Sequence, residues 1–438
     1  MRIVGIADSD SYVKWGASLL SSIPDGSEVS LIIVRSPKQP SADQLQSALS
    51  GTAISADAVR VLDFDAAVSA VRVGQPDAVL VSSIGPLADV LIEALVTLPA
   101  NSAIRRPIVV SGLPGIGLPA RRKALMYRSQ ADLVVLHSKR EVRRFVRIAE
   151  HNRLEQRFGL ATFPFLDDRS RGGRPDGDVV FAAQAIVPVS TRERILLLSW
   201  LVQFARRHGE RRVVIKVRAR SGEAQTHAEA HGFEDLLAAK FAGAPANLVV
   251  EDGPMADHLD RASALVTVSS TAALEAIARD IPVLIIDEFG ISPALINEVF
   301  IGSGLLGSAD DLLEGRFFEA RESWKQDNYF HDTAENDWFG QLATLVEQHA
   351  ADPLAARQRV VRGRGGRLRR AWDRRQALGV NDTSPLGLAA LIVGTPARRL
   401  VIIAQRSARL SRRRSRARRR LLAARRDASR EVVVRHIA

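Results

Sequence analysis

Short apolar runs alternate with longer amphipathic stretches along the first three quarters of the chain. Runs of four to six apolar residues predict buried strands, and the stretches between them have helical spacing and composition. Strands separated by helices imply a parallel sheet covered on both faces, with ligands at the carboxyl ends of the strands. In the first half, strands are predicted at Arg2–Ala7, Ser30–Val34, Ala78–Ser82, Pro107–Ser111 and Leu133–His137, and helices at Leu87–Val96 and Lys139–Ala149.

A second alternating set follows a polar segment rich in glycine. Residues 167–178, DDRSRGGRPDGD, predict a linker. One large doubly wound domain is the alternative, but the position of the linker favours two domains. We expect domain 1–166, linker 167–178, domain 179–340, returning helices over 341–395 with the first at 341–352, and a basic tail over 396–438. The second set has strands at Val179–Ala183, Val213–Val217 and Asn247–Val250.

The last part of this set, residues 265–287, joins a strand, a turn rich in hydroxyls, a helix and another strand. Ser269, Ser270 and Thr271 form the turn between the strand Leu265–Val268 and a helix over 272–279, and a Pro-led strand follows. Hydroxyls and free amides at a helix N-terminus attract anions. Simple N-capping is the alternative, but three hydroxyls exceed one cap and no capping box is present. The turn therefore favours a phosphate site.

The stretch Val266–Asp287 resembles the second half of GT-B glycosyltransferases. It is most similar to bacterial enzymes of the polysialyltransferase, Kdo-transferase and CDP-glycerol glycerophosphotransferase kind, and especially to an actinobacterial family labelled only as glycosyltransferases. In those enzymes a strand ending in Ser-Ser or Ser-Thr precedes a helix with an early Glu and a Pro-led strand. The resemblance covers roughly residues 1–340 and is specific only in this stretch. It implies two Rossmann-like domains facing a central cleft, with a basic helical C-terminal tail.

Four polar residues at predicted strand ends of the second domain, together with Glu275 in the predicted helix over 272–279, are donor-site candidates. Gln184 follows the first strand, and Lys216 and Arg218 lie on one face at the end of the next. Related enzymes often have Lys-His-Pro where this chain has Lys-Val-Arg, and a solvated Arg218 is an equal alternative. The resemblance places Glu251 beside a nucleobase, although a simple turn is the stronger interpretation, and it places Glu275 on the nucleotide ribose.

The first domain is expected to hold the acceptor and the catalytic base. Asp8 and Asp10 follow the first strand, where a carboxylate could take the proton of the acceptor hydroxyl. Helix N-capping by either residue is an equal alternative. Lys14 is a candidate for an anionic group of a substrate, or is merely exposed. The Asp-Ser-Asp sequence is where an ion would bind, but a phosphate held by hydroxyls, amides and arginine needs none, so no metal and no cofactor is predicted.

A glycine-containing loop after the fourth predicted strand supplies further acceptor candidates. Gly115, Gly117 and Ala120 have the spacing of a dinucleotide fingerprint, but two prolines interrupt the loop and it follows the wrong strand. A flexible acceptor loop is favoured, in which Arg121 and the two cations after it meet an anionic acceptor. His137 ends the next strand and is a cleft candidate, although a lone histidine is more often structural.

Composition bounds the class of protein. The chain has 438 residues, 46% of them hydrophobic and 25% charged, which is enough to bury a large core in two α/β domains. It contains no cysteine, which fits a reducing cytosol and excludes disulfides and thiolate ligands. The sequence has neither a signal-peptide pattern nor an apolar run of about 18 residues, so a cytoplasmic protein without a membrane span is expected.

The net charge of +12 is unevenly distributed. Residues 1–355 hold 37 basic and 45 acidic side chains, whereas residues 356–438 hold 24 and 4. The positive net charge of the whole chain is therefore no evidence that the folded domains bind nucleic acid. In the tail, Arg412–Arg420 reads RRRSRARRR and follows apolar residues, which suits an anionic membrane surface. Binding of RNA or another polyanion and a solvated, disordered tail are the alternatives.

These features favour a metal-independent glycosyltransferase that uses a nucleotide-activated sugar to build a cell-envelope polysaccharide or glycolipid. Its expected partners are the nucleotide-sugar donor, a glycan or lipid-linked acceptor and, through the tail, the inner face of the plasma membrane. A CDP-polyol phosphotransferase or a nucleotide-sugar epimerase of the same fold is one alternative. A non-catalytic protein that binds polyanions or membranes through the tail is another.

Overall fold

The computed structural model describes residues 1–97, 105–163, 166, 173–184, 187–188, 190–217, 232–355, 366–392 and 394. The chain forms two compact units, Met1–Arg359 and Val360–Ala438. Within the described residues, no helix has the length and apolar character needed to cross a membrane.

The first unit contains two parallel sheets, and the first of them has seven strands in the order β3-β2-β1-β4-β5-β6-β7. The order reverses between β1 and β4, which makes their carboxyl ends a topological switch point where α/β sheets bind ligands. The strands are β1 Arg2–Ala7, β2 Glu28–Val34, β3 Arg60–Leu62, β4 Ala78–Ser82, β5 Ile108–Gly112, β6 Leu133–Leu136 and β7 Arg157–Leu160.

Helices cover both faces of this sheet. In the first helix, the side chains of Val13, Trp15, Leu19 and Leu20 are buried and share an apolar cluster with residues of the sheet. This helix begins at Asp10 and ends at Ser21. The helices are α1 Asp10–Ser21, α2 Ala42–Leu49, α3 Phe64–Gly74, α4 Gly85–Val96, α5 Arg122–Met126 and α6 Lys139–His151.

The second sheet has six parallel strands in the order β10-β9-β8-β11-β12-β13, with its switch point between β8 and β11. Two Rossmann-like α/β layers are therefore present, as predicted. Its strands are β8 Asp178–Ala182, β9 Val213–Lys216, β10 Leu248–Glu251, β11 Ala262–Thr267, β12 Val283–Ile286 and β13 Leu306–Gly307. The accompanying helices are α7 Thr191–Arg207, α8 Phe233–Lys240, α9 Met255–Leu259, α10 Ala272–Ala278, α11 Ala309–Leu313 and α12 Glu322–Asp327.

The next helix, α13 Trp338–Ala351, packs on the first sheet. Trp338 and Leu342 lie in the same buried cluster as Ile3. Gly159 of β7 permits this approach, because a Cβ atom there would come within 2.8 Å of the Trp338 backbone. The helix predicted over 341–352 is confirmed, and it begins three residues earlier. The first sheet ends at Leu160 and the second begins at Asp178, while the predicted domain boundaries stay predictions.

The described part of the second unit contains α14 Gly366–Leu378, a helix with five arginines. Arg374 donates to Asp382 at 3.1 Å, and Arg369 pairs with Asp373 at 3.0 Å along the helix. The predicted tail 396–438, including Arg412–Arg420, lies outside the described residues.

Candidate functional site

Asp8 occupies the switch point of the first sheet. It follows β1 directly and is completely buried. Its Oδ1 accepts hydrogen bonds from the Ile84 amide at 3.2 Å and from the Ser9 hydroxyl at 3.3 Å. Its Oδ2 has no partner among the described residues, and burial raises the pKa of the carboxyl to about 6. A carboxylate with this pKa and a free oxygen has the properties of a general base near neutral pH.

Three residues that sequence reasoning missed surround Asp8. The guanidinium of Arg128 donates to the Ser83 carbonyl and to the Tyr12 hydroxyl, both at 3.0 Å. The Ser83 hydroxyl is buried and has no partner among the described residues. Because Ser83 follows β4 as Asp8 follows β1, the strand order alone would have paired them. The site therefore presents two unsatisfied buried oxygens beside a buried cation.

The other predicted base, Asp10, is exposed. It is the first residue of α1, and its Oδ1 accepts a hydrogen bond from the Ser11 hydroxyl at 3.3 Å. The residue at the N-cap position is Ser9, whose side chain makes no cap bond. The alternative interpretation of Asp8 or Asp10 as an N-cap is therefore wrong. Of the two carboxylates, only Asp8 lies in the buried cluster at the switch point.

Gln184 and Ser269 occupy the switch point of the second sheet and bind each other. Gln184 follows β8 and Ser269 follows β11, which are neighbouring strands. The Ser269 hydroxyl donates to Gln184 Oε1 at 2.7 Å, and Gln184 Nε2 donates to the Ser269 carbonyl at 3.1 Å. The structure thus brings two predicted donor residues together, and their reciprocal bonds fix the entrance to the hydroxyl turn.

The three hydroxyls of that turn have different environments. Ser269 bonds to Gln184, and the Ser270 hydroxyl accepts from the Ala272 amide at 3.2 Å. Thr271 occupies the N-cap position of α10 without a side-chain cap bond. The hydrogen bond from the Ala272 amide therefore accounts for the Ser270 hydroxyl, as the capping alternative predicts. The Thr271 hydroxyl accepts no such bond from the backbone of α10. Since α10 has only seven residues, the side chains rather than its macrodipole must provide most of any anion binding.

Glu275 lies one turn into α10 and faces cations from both sheets. Burial raises the pKa of its carboxyl, and the charges of Lys14, Arg279 and Lys216 lower it. Lys216 ends β9, is nearly buried and donates to the Val217 carbonyl at 2.8 Å. Lys14 belongs to α1 of the first sheet, so one of the charges that act on Glu275 comes from the other sheet.

A hydrogen bond joins the carboxyl-end edges of the two sheets. The guanidinium of Arg121, in the loop after β5, donates to the Pro293 carbonyl in the loop after β12 at 3.1 Å. Gly115 lies in the first of these loops with open space around its Cα. Nearby, the Gly117 amide donates to the Glu141 carboxylate at 2.6 Å, which anchors the loop predicted to be flexible. Arg218, a predicted donor residue, lies outside the described residues.

The structure corrects the prediction for the Glu251 carboxylate. It pairs with Arg212, with Arg261 at 3.6 Å and with His258 at 3.6 Å. Arg212 and Arg261 precede β9 and β11, so the carboxylate is directed back along the sheet and away from the carboxyl ends. Only the backbone of Glu251 lies at the carboxyl end of β10.

His137 is also corrected, because it is enclosed in the core rather than facing a cleft. Its ring is fully buried and stacks on Phe163 with centroids 4.4 Å apart. The Trp15 indole donates to Nε2 at 2.6 Å, and Nδ1 lies 3.0 Å from the Ala161 carbonyl. Burial lowers the pKa of the imidazole to about 4. Both nitrogens are used by the protein, so the residue cannot bind an acceptor in this arrangement.

No group of three or more His, Asp or Glu side chains that could hold a metal ion occurs in the described part of the chain. Metal independence stays a prediction.

Comparison with solved structures identifies the same architecture elsewhere. A protein from Listeria monocytogenes described as a "putative UDP-N-acetylglucosamine 2-epimerase" is 11% identical, with a TM-score of 0.53 over 80% of this chain and 96% of the other. The UDP-GlcNAc 2-epimerase of Methanocaldococcus jannaschii is 9% identical, with a TM-score of 0.50 over 79% of this chain and 100% of the other. At these identities the likeness concerns the fold alone. Comparison with curated proteins found no match.

Comparison with protein families gives a match over most of the chain. Residues 3–345 match the family described as "Putative glycosyltransferase (DUF6716)", and this range includes both sheets and the helix that returns to the first. The two facing Rossmann-like layers agree with the GT-B fold of glycosyltransferases. The chain therefore belongs to this glycosyltransferase family.

Proposed function

We propose that the protein transfers a sugar from a nucleotide-activated donor, without a metal ion, to an acceptor hydroxyl bound beside Asp8. The observation that carries this proposal is the 3.1 Å hydrogen bond from Arg121 to the Pro293 carbonyl, because it joins the loops after β5 and β12 and so brings the carboxyl-end edges of the two sheets together. A transferase needs a base and a donor site on opposite sides of one cleft. Family membership supports glycosyl transfer as the reaction.

The donor phosphates bind at the hydroxyl turn in this proposal. Thr271 donates directly to a phosphate oxygen, Gln184 and Ser269 hold the turn in place, and Lys216 supplies positive charge. Glu275 accepts a hydrogen bond from the ribose. A carboxylate near phosphates requires compensation, and the three cations around Glu275 provide it.

Asp8 acts as the base. In the ionised form, its free Oδ2 accepts the proton of the acceptor hydroxyl as that oxygen attacks the anomeric carbon, and the nucleotide leaves with the electron pair of the bond to the sugar. Burial keeps the pKa of Asp8 near 6, so that the carboxylate is ionised at neutral pH yet basic enough to take a proton. Arg128 and Tyr12 position the pocket around it.

The acceptor is a cell-envelope glycan or a lipid-linked glycan, in a cytoplasmic protein that associates with the inner face of the plasma membrane through Arg412–Arg420. The relation to polysialyltransferases and CDP-glycerol glycerophosphotransferases rests on the stretch Val266–Asp287. The same fold also suits epimerisation of a nucleotide sugar, and the two solved structures described above favour that as the second candidate. An epimerase would convert its nucleotide sugar without any acceptor.

Calorimetric titration of the full chain with CMP, CDP, UDP and GDP tests the proposal. The M. jannaschii structure contains UDP-GlcNAc and UDP, so UDP is the first ligand to titrate. One saturable isotherm is expected. Four flat isotherms would reject both enzymatic functions and favour the alternative protein that binds only polyanions or membranes. Incubation with the matching nucleotide sugar then separates transfer from epimerisation by the need for an acceptor.

A further inference from the structure

A groove of about 660 Å³ in the unit Met1–Arg359 lies beside α6. The loop after β5 and residues 298–301 complete its walls. Its lining carries an excess of positive charge: one carboxylate, Glu298, stands against the cationic or titratable side chains of Arg122, Arg140, Arg144, Arg147 and His151.

The helix α6 presents a single stripe of cations to this groove. Arg140, Arg144, Arg147 and His151 are spaced by four, three and four residues, which places them on one helical face. Such clustering is unfavourable by itself, and burial together with the neighbouring Arg144 lowers the pKa of Arg140. Clustered arginines without acids to balance them are typical of sites for anions.

Three of the four arginines of α6 line the groove; the fourth, Arg143, has an acidic partner, whereas two of the three lining residues have none within the described part of the chain. Arg143 does not line the groove, and it pairs with Asp327 at 2.6 Å. Arg140 donates to the Val299 carbonyl at 3.0 Å and so supports the wall. Arg144 and Arg147 make no ion pair or hydrogen bond within the described part of the chain. Their guanidinium groups are therefore available to a ligand.

The same groove has apolar lining. Leu118 and Pro119 of the loop after β5, Ile148 of α6 and Ile301 all border it. Ile301 is 48% exposed, which leaves a large apolar side chain in water. A basic surface that is only exposed to water needs no apolar side chains beside its cations. Cations and apolar side chains around one cavity instead fit a ligand with an anionic head and an apolar chain.

We propose that the groove binds a phosphate or diphosphate ester carrying an apolar chain. Arg144 and Arg147 pair with the phosphate oxygens, for which the planar guanidinium fork is well suited. Ile148 and Ile301 contact the first part of the chain. This inference rests on the proposed function in one respect: it names the acceptor class as a lipid-linked phosphate, whereas binding itself does not depend on turnover.

The test uses the full chain and farnesyl diphosphate below its micelle concentration at physiological salt. The double variant Arg144→Gln/Arg147→Gln is expected to bind it at least about tenfold more weakly, which corresponds to roughly 1.4 kcal/mol. The control double variant Arg143→Gln/Arg157→Gln removes the same charge from outside the groove and keeps the basic tail. It should change affinity less than about twofold, because neither side chain lines the groove and salt screens exposed charges that lie away from a ligand.

Two comparisons give results that would overturn the proposal. Equal losses in the two double variants would assign binding to general charge, including the tail, rather than to the groove. Equal affinity for farnesyl diphosphate and inorganic pyrophosphate, unaffected by Ile301→Ser, would reject the apolar part of the site. Nucleotide titration in the absence of lipid tests the proposed function separately. Flat nucleotide isotherms would refute glycosyl transfer without affecting the evidence for lipid binding.

Discussion

The Glu141 carboxylate accepts a 2.6 Å hydrogen bond from the Tyr329 hydroxyl, and both side chains are buried. Glu141 lies in the first turn of α6 of the first sheet, whereas Tyr329 follows the second sheet. The same carboxylate accepts from the Gly117 amide at 2.6 Å and the His137 amide at 3.0 Å. This one residue therefore holds the loop after β5, the end of β6 and the segment leading into α13.

We expect Tyr329→Phe to lower the free energy of unfolding by about 1–3 kcal/mol, because it removes one donor from a buried carboxylate. Urea denaturation followed by far-UV circular dichroism measures the change. Tyr127→Phe is the matched control, since its half-buried phenol has no hydrogen bond among the described residues. Equal effects of the two substitutions would show that the bond to Glu141 contributes nothing specific.

The activity is expected to rise with pH through about 6, because Asp8 must be ionised to accept a proton and burial sets its pKa at that value. Asp8→Asn should abolish turnover and retain donor binding, while Asp10→Asn should keep both. Rate profiles over pH 4.5–8.5 measure this. Unchanged turnover in Asp8→Asn would exclude it as the base.

Asp8 should also affect stability. Its pKa is raised from 3.8 to about 6, so its contribution is fully present below pH 3.8 and is lost as the pH rises through 6. Asp8→Asn is therefore expected to be more stable than the natural protein at pH 8, by on the order of 1–3 kcal/mol, with little difference at pH 4. Thermal unfolding at both pH values measures this difference.

In the proposed donor site, Thr271→Val is expected to weaken nucleotide binding about tenfold, because a hydrogen bond to a charged phosphate oxygen is lost without a change in shape. Ser269→Ala should have a comparable effect by releasing Gln184 from its 2.7 Å bond. Thr344→Val on α13 is the control. Calorimetry with the nucleotide that binds best measures the affinity of each variant. Unchanged affinity in both Thr271→Val and Ser269→Ala would mean that the phosphates bind elsewhere.

The strands that could be predicted from sequence are those that contain an unbroken run of mostly apolar residues. All five residues of Ala78–Ser82 are buried, and the predicted bounds agree with the structure. The strand Arg60–Leu62 is short and partly exposed, and Arg157–Leu160 begins with a charge and contains a glycine. Neither has an apolar run, so both were missed. Their places depend on pairing with β2 and β6, which no local pattern encodes.

A residue of the candidate site could be predicted from sequence where its position at the end of a strand is enough to place it in the site. Asp8, Gln184 and Ser269 lie within two residues of the ends of strands at the two switch points, and backbone direction alone brings them there. Glu251 and His137 also end strands, but their side chains are controlled by distant partners. Arg212 is 39 residues from Glu251, and Trp15 is 122 residues from His137. Sequence position therefore identified strand ends correctly and could not give the direction of a side chain.

The buried pair of Arg106 and Asp132 should be far more important for stability than any exposed pair. Its two bonds measure 2.8 and 3.0 Å, and Arg106 also donates to the Ala355 carbonyl. Arg106→Met removes the guanidinium that balances the buried charge of Asp132 and is expected to lower the free energy of unfolding by about 3–5 kcal/mol. Arg35→Met, which breaks an exposed pair with Asp63, should lower it by less than about 1 kcal/mol. Urea unfolding of both variants compares them directly.

His137 provides a test of the core through acid stability. Its pKa falls from 6.5 to about 4 on burial, so the neutral ring's contribution is present above pH 6.5 and is lost as the pH falls through 4. His137→Gln removes this titration and also weakens the bonds to Trp15 and Ala161. The variant should therefore be less stable at pH 7.5 by about 1–3 kcal/mol, and the gap should narrow towards pH 4. Chemical denaturation across this range measures the difference in the free energy of unfolding between the two proteins, with exposed His151→Gln as the control.

A difference that stays constant with pH would mean that His137 is protonated as easily in the folded protein as in the unfolded chain, and its assignment to the core would then fail.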